Sequence, residues 1–178
     1  MITRNFNAKK VMNLTHLHLL ITHLPIFGSV TGMLILLYGV YTGSDHTKMT
    51  AYAVLLAAAA GGIIAFSTGE AAEETVENIQ GISKNMIEEH EEFAKIALTA
   101  VIALGAGALA GGYLTWKKSK FTKVISVIVL ILSFICFGIT SWTGYLGGQI
   151  RHTEVSNAAI HPGNINAGKV APGLHEHE

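Results

Sequence analysis

Apolar residues in this chain gather into four long blocks, at positions 16–41, 49–68, 93–116 and 121–149. About 20 apolar residues in a helix cross about 30 Å of hydrocarbon, so each block predicts one transmembrane helix. The separators are of two kinds. Thr42-Gly43-Ser44-Asp45 and Lys117-Lys118-Ser119-Lys120 are short and turn-like, whereas 70–92 is longer and acidic. Glu70 and Glu74 stand one helical turn apart, which predicts that the second helix continues past the membrane surface. The pattern predicts an all-α integral membrane four-helix bundle over residues 1–152. A polar C-terminal tail, 153–178, is expected to be loosely docked or disordered, because it is rich in Pro, Gly and Asn.

Composition agrees with lipid as the solvent. Half of the 178 residues are apolar and 13% are charged, against about a quarter charged in a soluble domain. The formal net charge of zero argues against a nucleic-acid partner. Cys136 is the single cysteine, so neither a disulfide framework nor a thiolate metal site is expected, and it reads as a small packing residue. The first block is too long for a signal-peptide core and lacks a small-residue cleavage site, so no cleaved leader is expected.

Four spans put both termini and the acidic connection on one side and the two short connections on the other. Lys117, Lys118, Lys120 and Lys123 crowd one short connection. Positive charge near span ends favours the cytoplasm, which predicts cytoplasmic short loops and external termini. Arg4, Lys9 and Lys10, ahead of the first span, pull the other way. Gly28 and Gly32, Gly107 and Gly111, and Gly144 and Gly148 are each four apart. Such spacing lets helix backbones approach closely in lipid, where small residues drive association.

Histidines supply the candidate chemistry. His18 and His23 in the first span, His90 at the start of the third and His152 at the end of the fourth all fall toward one membrane face. Ionisable groups near or within a membrane are costly and are functional candidates by default. His23 is the deepest, about 10 Å in at 1.5 Å per residue, and Pro25 two residues later predicts a kink. Gly144, Gly148 and His152 share one helical row, and Ala94, Ala97 and Val101 follow His90. Small residues beside histidine leave room for a flat group such as a porphyrin, whose iron takes neutral imidazoles from facing helices.

Each of these residues also has a plainer reading. His90 and His152 near the interface are individually compatible with simple solvation, and His16 with capping the first span. Glu88, Glu89, Glu91 and Glu92 around His90 read as a solvated collar. Glu70 closes the second span and is a candidate partner for a ligand histidine, a metal ligand itself, or a proton acceptor at a quinol site. Arg151 beside His152 is a candidate partner for a haem propionate or for Glu154. The convergence of three spans on one face is what raises the histidines above the plainer reading.

The segments around these residues carry a resemblance. They are His18-Leu-Leu-Ile-Thr-His23-Leu-Pro25-Ile, Thr68-Gly69-Glu70-Ala-Ala-Glu73-Glu74, Ile87-Glu-Glu-His90-Glu-Glu and Thr143-Gly144-Tyr-Leu-Gly147-Gly148-Gln-Ile-Arg151-His152-Thr-Glu154. Together they resemble a bacterial family of small four-helix membrane proteins catalogued mainly as a domain of unknown function. That resemblance implies the fold and the site residues but no activity. The expected location is a bacterial inner membrane with periplasmic termini. The expected function is a b-type haem (iron) electron carrier, with His18, His23, His90 and His152 as candidate ligands and Arg151, Gly144 and Gly148 beside the cofactor. Quinol or a periplasmic cytochrome would be the redox partner. A bare Fe, Cu or Zn site built from the same histidines and Glu70 is the rival, since imidazole with carboxylate suits all three metals. A structural subunit working with other membrane subunits is the third possibility. No hydrolytic nucleophile with a partner base, and no phosphate loop, is present.

Overall fold

The computed structural model describes residues 14, 16–76 and 84–160, with side chains described except at 70–76 and 151–160. Four helices dominate: α1 (His23–Thr42), α2 (Asp45–Val76), α3 (Lys84–Trp116) and α4 (Thr122–Ile160). All four are long and apolar enough to cross a membrane. The chain is a multi-pass, all-α membrane bundle. Large apolar side chains such as Leu20, Tyr41, Leu109 and Phe134 are exposed on its outside, as lipid contact requires.

Local chemistry sets the helix ends. Helical turns from His16 lead into α1 across a break at Thr22. Pro25 causes this break, since its ring has no N–H to offer the Ile21 carbonyl one turn earlier. At the other end Gly43 adopts a left-handed conformation (φ 71°) that stops α1. Ser44 then caps α2, its Oγ accepting the Thr47 N–H at 3.3 Å and the Thr47 hydroxyl at 2.9 Å. α3 begins well before the apolar block because Lys84–Glu92 contains good helix formers, so the helix protrudes beyond the hydrocarbon. α4 likewise runs past Thr153, where the sequence predicts a tail. No glycine or proline interrupts 153–160, and the helix continues to Ile160. Residues 161–178 lie outside the described residues.

Sequential helices pack side by side, α4 closes back on α1, and the two diagonal pairs barely touch. Small residues make the close contacts. A Cβ on Gly28 would lie 2.7 Å from Ala58 Cβ, and one on Gly111 would lie 2.6 Å from the Tyr52 ring. Either position with a larger residue would push two helices apart. The fully buried core is built from Leu36, Tyr52, Leu55, Val101, Leu104, Ala108, Val129 and Cys136. It occupies the middle and the short-loop half. Cys136 is 1% exposed and packs there. Within it the Tyr52 hydroxyl meets Ser126 Oγ at 2.8 Å, a buried bond between α2 and α4.

Candidate functional site

The end of the bundle opposite the short loops is built around two imidazoles from diagonally opposed helical segments. His18, one turn before the Thr22 break, donates its Nδ1–H to the Ala65 carbonyl of α2 at 2.8 Å. Thr68 Oγ1 lies 3.3 Å from the same nitrogen, while its own hydroxyl turns back to the carbonyls of Ile64 and Ala65. His90, on α3, donates its Nδ1–H to the Thr143 carbonyl of α4 at 3.1 Å. A carbonyl only accepts, so these contacts assign the proton to Nδ1 in both rings and, in the neutral imidazole, leave the lone pair on Nε2. Among the described residues neither Nε2 has a hydrogen-bond partner.

The site has an approximate twofold character. A histidine on an odd-numbered helical segment bonds to a neighbour beside a Thr-Gly pair on the next one, Thr68-Gly69 in one half and Thr143-Gly144 in the other. Glycines border both rings. A Cβ on Gly69 would lie 3.6 Å from His18 Cε1, and one on Gly147 would lie 3.1 Å from His90 Cε1. Thr143 braces α3 a second time, its hydroxyl pointing to the Phe93 carbonyl at 3.4 Å and to Ile139 at 2.9 Å. Ser141 Oγ, two residues before it, is buried without a hydrogen-bond partner.

The remaining expected site residues are distributed unevenly. His23 is exposed; its Nδ1–H goes to the Leu19 carbonyl at 3.3 Å and its ring stacks on Phe27 at 6.3 Å. It does not join His18 and His90. Depth along the span singled it out, but its position on the helix turns it outward. A Cβ on Gly144 would meet Ile26 Cδ1 at 2.9 Å, so this glycine fits α4 against α1. Gly148 is exposed, with nothing within 4 Å of an added Cβ. The backbones of Glu70, Arg151 and His152 belong to α2 and α4 at this same end, but their side chains lie outside the described residues. Glu88, Glu89, Glu91 and Glu92 are exposed, and Glu91 pairs with Lys95 at 2.9 Å.

Thr143, Thr68, Ala65 and Gly147 are the parts of the site that residue chemistry alone did not single out. Two of them act through backbone carbonyls, which any residue carries, so no side-chain signal marks them. The paired Thr-Gly dipeptides at the ends of the second and fourth spans are the trace they leave in the sequence.

The aromatic side chains fix the level of the site. Phe93, Trp142 and Tyr145 form a connected cluster at the histidine end, and Tyr113 and Trp116 pair at the other. Phe93 to Tyr113 spans about 30 Å at 1.5 Å per helical residue, the thickness of the hydrocarbon layer. His90 precedes Phe93 by less than one turn and therefore lies close to the level of this aromatic cluster.

Among the described residues no three His, Cys, Asp or Glu side chains converge as a metal cage. The candidate donor set is instead two oriented imidazoles, His18 and His90. Compared with protein-family models, curated proteins and solved structures, the chain finds no match.

Proposed function

We propose that this chain is a b-type haem membrane protein that transfers electrons, with His18 and His90 as the axial pair. The observation that carries the reading is the matched state of these two rings. Each comes from a different helical segment, each has Nδ1–H tied to a backbone carbonyl, and each has an Nε2 without a partner among the described residues. Ligand histidines commonly donate their second nitrogen to a carbonyl, which fixes the tautomer and raises the basicity of the ligating nitrogen. Gly69 and Gly147 let the two rings lie close against α2 and α4, which helps to hold their orientation.

Iron porphyrin held there would supply a one-electron couple at the membrane boundary. The protein's part is to orient the imidazoles, exclude competing side chains and set the surrounding dielectric. Arg151 and His152 are candidates for propionate pairing and for a second ligand role, and Glu70 for steadying His18. The redox partner in this reading is quinol from the lipid or a periplasmic cytochrome, with the short loops cytoplasmic and both termini periplasmic in a bacterial inner membrane. Two ligands complete an axial haem pair, whereas a bare ion needs three or four. The haem reading therefore asks less of residues beyond His18 and His90.

The test is a reduced-minus-oxidised absorption spectrum with elemental analysis on the same purified sample. A Soret band with sharp α and β bands on reduction, and iron in proportion, is the expected result. Stoichiometric metal without a Soret band would transfer the site to a bare ion, and neither would leave a structural bundle.

A further inference from the structure

At the end of the bundle opposite the histidines, we infer that the connection between α3 and α4 is a binding site for the headgroup of an anionic phospholipid. Lys117, Lys118, Lys120 and Lys123 occupy seven consecutive positions with Ser119, Phe121 and Thr122. Asp45 is the one acidic residue in the two short connections, and it is already taken by Lys48 at 3.0 Å. Among the described residues, none of the four loop lysines pairs with a carboxylate.

Their surroundings distinguish a lipid from a free anion. Lys117 Nζ lies over the Trp116 ring at 4.7 Å from its centroid, and Lys120 Nζ over Phe121 at 5.2 Å. Trp116, Phe121 and Val124 are themselves exposed, so acyl-facing apolar surface adjoins the ammonium groups. Aromatic rings at this depth sit at the headgroup level, and cations stacked on them stand where lipid phosphates lie. Free phosphate has no use for that apolar flank.

The loop is also held in one shape. Lys118 takes a left-handed conformation (φ 50°), unusual for a residue with a Cβ. Its N–H bonds to the Thr115 carbonyl at 3.0 Å, and Ser119 N–H to Leu114 at 3.0 Å. Thr122 Oγ1 closes the loop onto Ser119 and Leu114. The lysines are therefore presented from a short braced turn rather than from a floppy tether.

Trp116 reports on this site directly, because Trp142, the second of two tryptophans, stands at the other end. The full chain carrying Trp142→Phe would be reconstituted in mixtures of phosphatidylglycerol and phosphatidylcholine, one of them brominated on its acyl chains. Quenching should show a preference for phosphatidylglycerol at Trp116 of at least about fivefold. Replacing all four lysines with glutamine should reduce it to parity. A companion chain carrying Trp116→Phe, which reports from Trp142, should show near parity with the lysines intact. Equal quenching by the two lipids at Trp116, an undiminished preference after lysine replacement, or the same preference at Trp142 would each overturn the assignment.

Discussion

At the short-loop half of the bundle, Tyr52 and Ser126 bond to each other across the core, and Ser126 donates on to the Thr122 carbonyl at 2.6 Å. At the opposite end, His18 and His90 reach just as firmly across helices, yet among the described residues each engages only one of its two ring nitrogens. Both ends use interhelical polar contacts to fix helix against helix. Among the described residues, only the histidine end leaves strong ligating atoms unengaged. A buried polar group without a partner is costly in lipid, so a half-engaged imidazole is stable only where something else reaches it. His90 lies less than one turn from the Phe93 end of the apolar block, where such access is found, and in the haem reading the cofactor is what reaches both rings.

The sharpest way to break this comparison is to remove the rings one at a time. Losing even an outer partner of a metal ligand costs about 10–100-fold in affinity, so His18→Ala and His90→Ala should each lower haem per protein by at least about tenfold. His23→Ala and His16→Ala should retain it nearly in full, because both side chains face outward. Haem per polypeptide in purified protein is the measurement. A loss at His23 equal to that at His90 would mean that the outward ring also holds the cofactor and that His18 and His90 are not the pair.

Neighbouring glycines offer a second contrast with the ligands untouched. Gly147→Leu would drive a side chain into the His90 ring, which an added Cβ already approaches at 3.1 Å. Gly148→Leu enters open space. The expected result is loss of most of the haem from the first variant and retention in the second, with helical circular dichroism unchanged in both. Haem lost from Gly148→Leu at full helicity would instead locate the macrocycle against the exposed face of α4, the row that also carries Gly144.

At the closed end the same kind of substitution should act on stability rather than on the cofactor. Gly111 lies against the Tyr52 ring, and overpacking a tight contact costs about 1–3 kcal/mol. Gly111→Leu should lower the unfolding free energy from denaturant titration by that amount while any haem still bound keeps its spectrum. A changed spectrum would show that the two ends are mechanically coupled.

The spans, the two tight connections and the polar end were legible because lipid imposes a coarse code of long apolar runs between turn residues and charges. The site was legible only in part. His18 and His90 drew attention by type and by end of span. Distance into the span does not report which way a ring points, so His23, the deepest, gave no sign that it stacks outward on Phe27. Backbone acceptors such as Ala65 and Thr143 are invisible to a reading of side-chain chemistry. Gly147 and Gly148 are neighbours of the same type, and only the helix's rotation separates the one beside His90 from the one that faces open space.

The smallest expected effect tests the closed end by hydrogen-bond direction. Ser126 has one hydroxyl proton, and the short contact to the Thr122 carbonyl takes it. Tyr52 must then be the donor in the 2.8 Å bond between them. Tyr52→Phe removes that donor and leaves Ser126 still bonded to its own helix, so only an acceptor lone pair goes unused. Interhelical bonds in membrane bundles average about 0.6 kcal/mol, and a loss of that order is expected. Ser126→Ala does the reverse, leaving a buried phenolic O–H with no acceptor, which costs about 1–3 kcal/mol. Denaturant titrations of the two variants should therefore rank Ser126→Ala as the more destabilised. The opposite ranking would mean that Ser126 donates to Tyr52, and the bond to Thr122 would then have to be the weaker of the two.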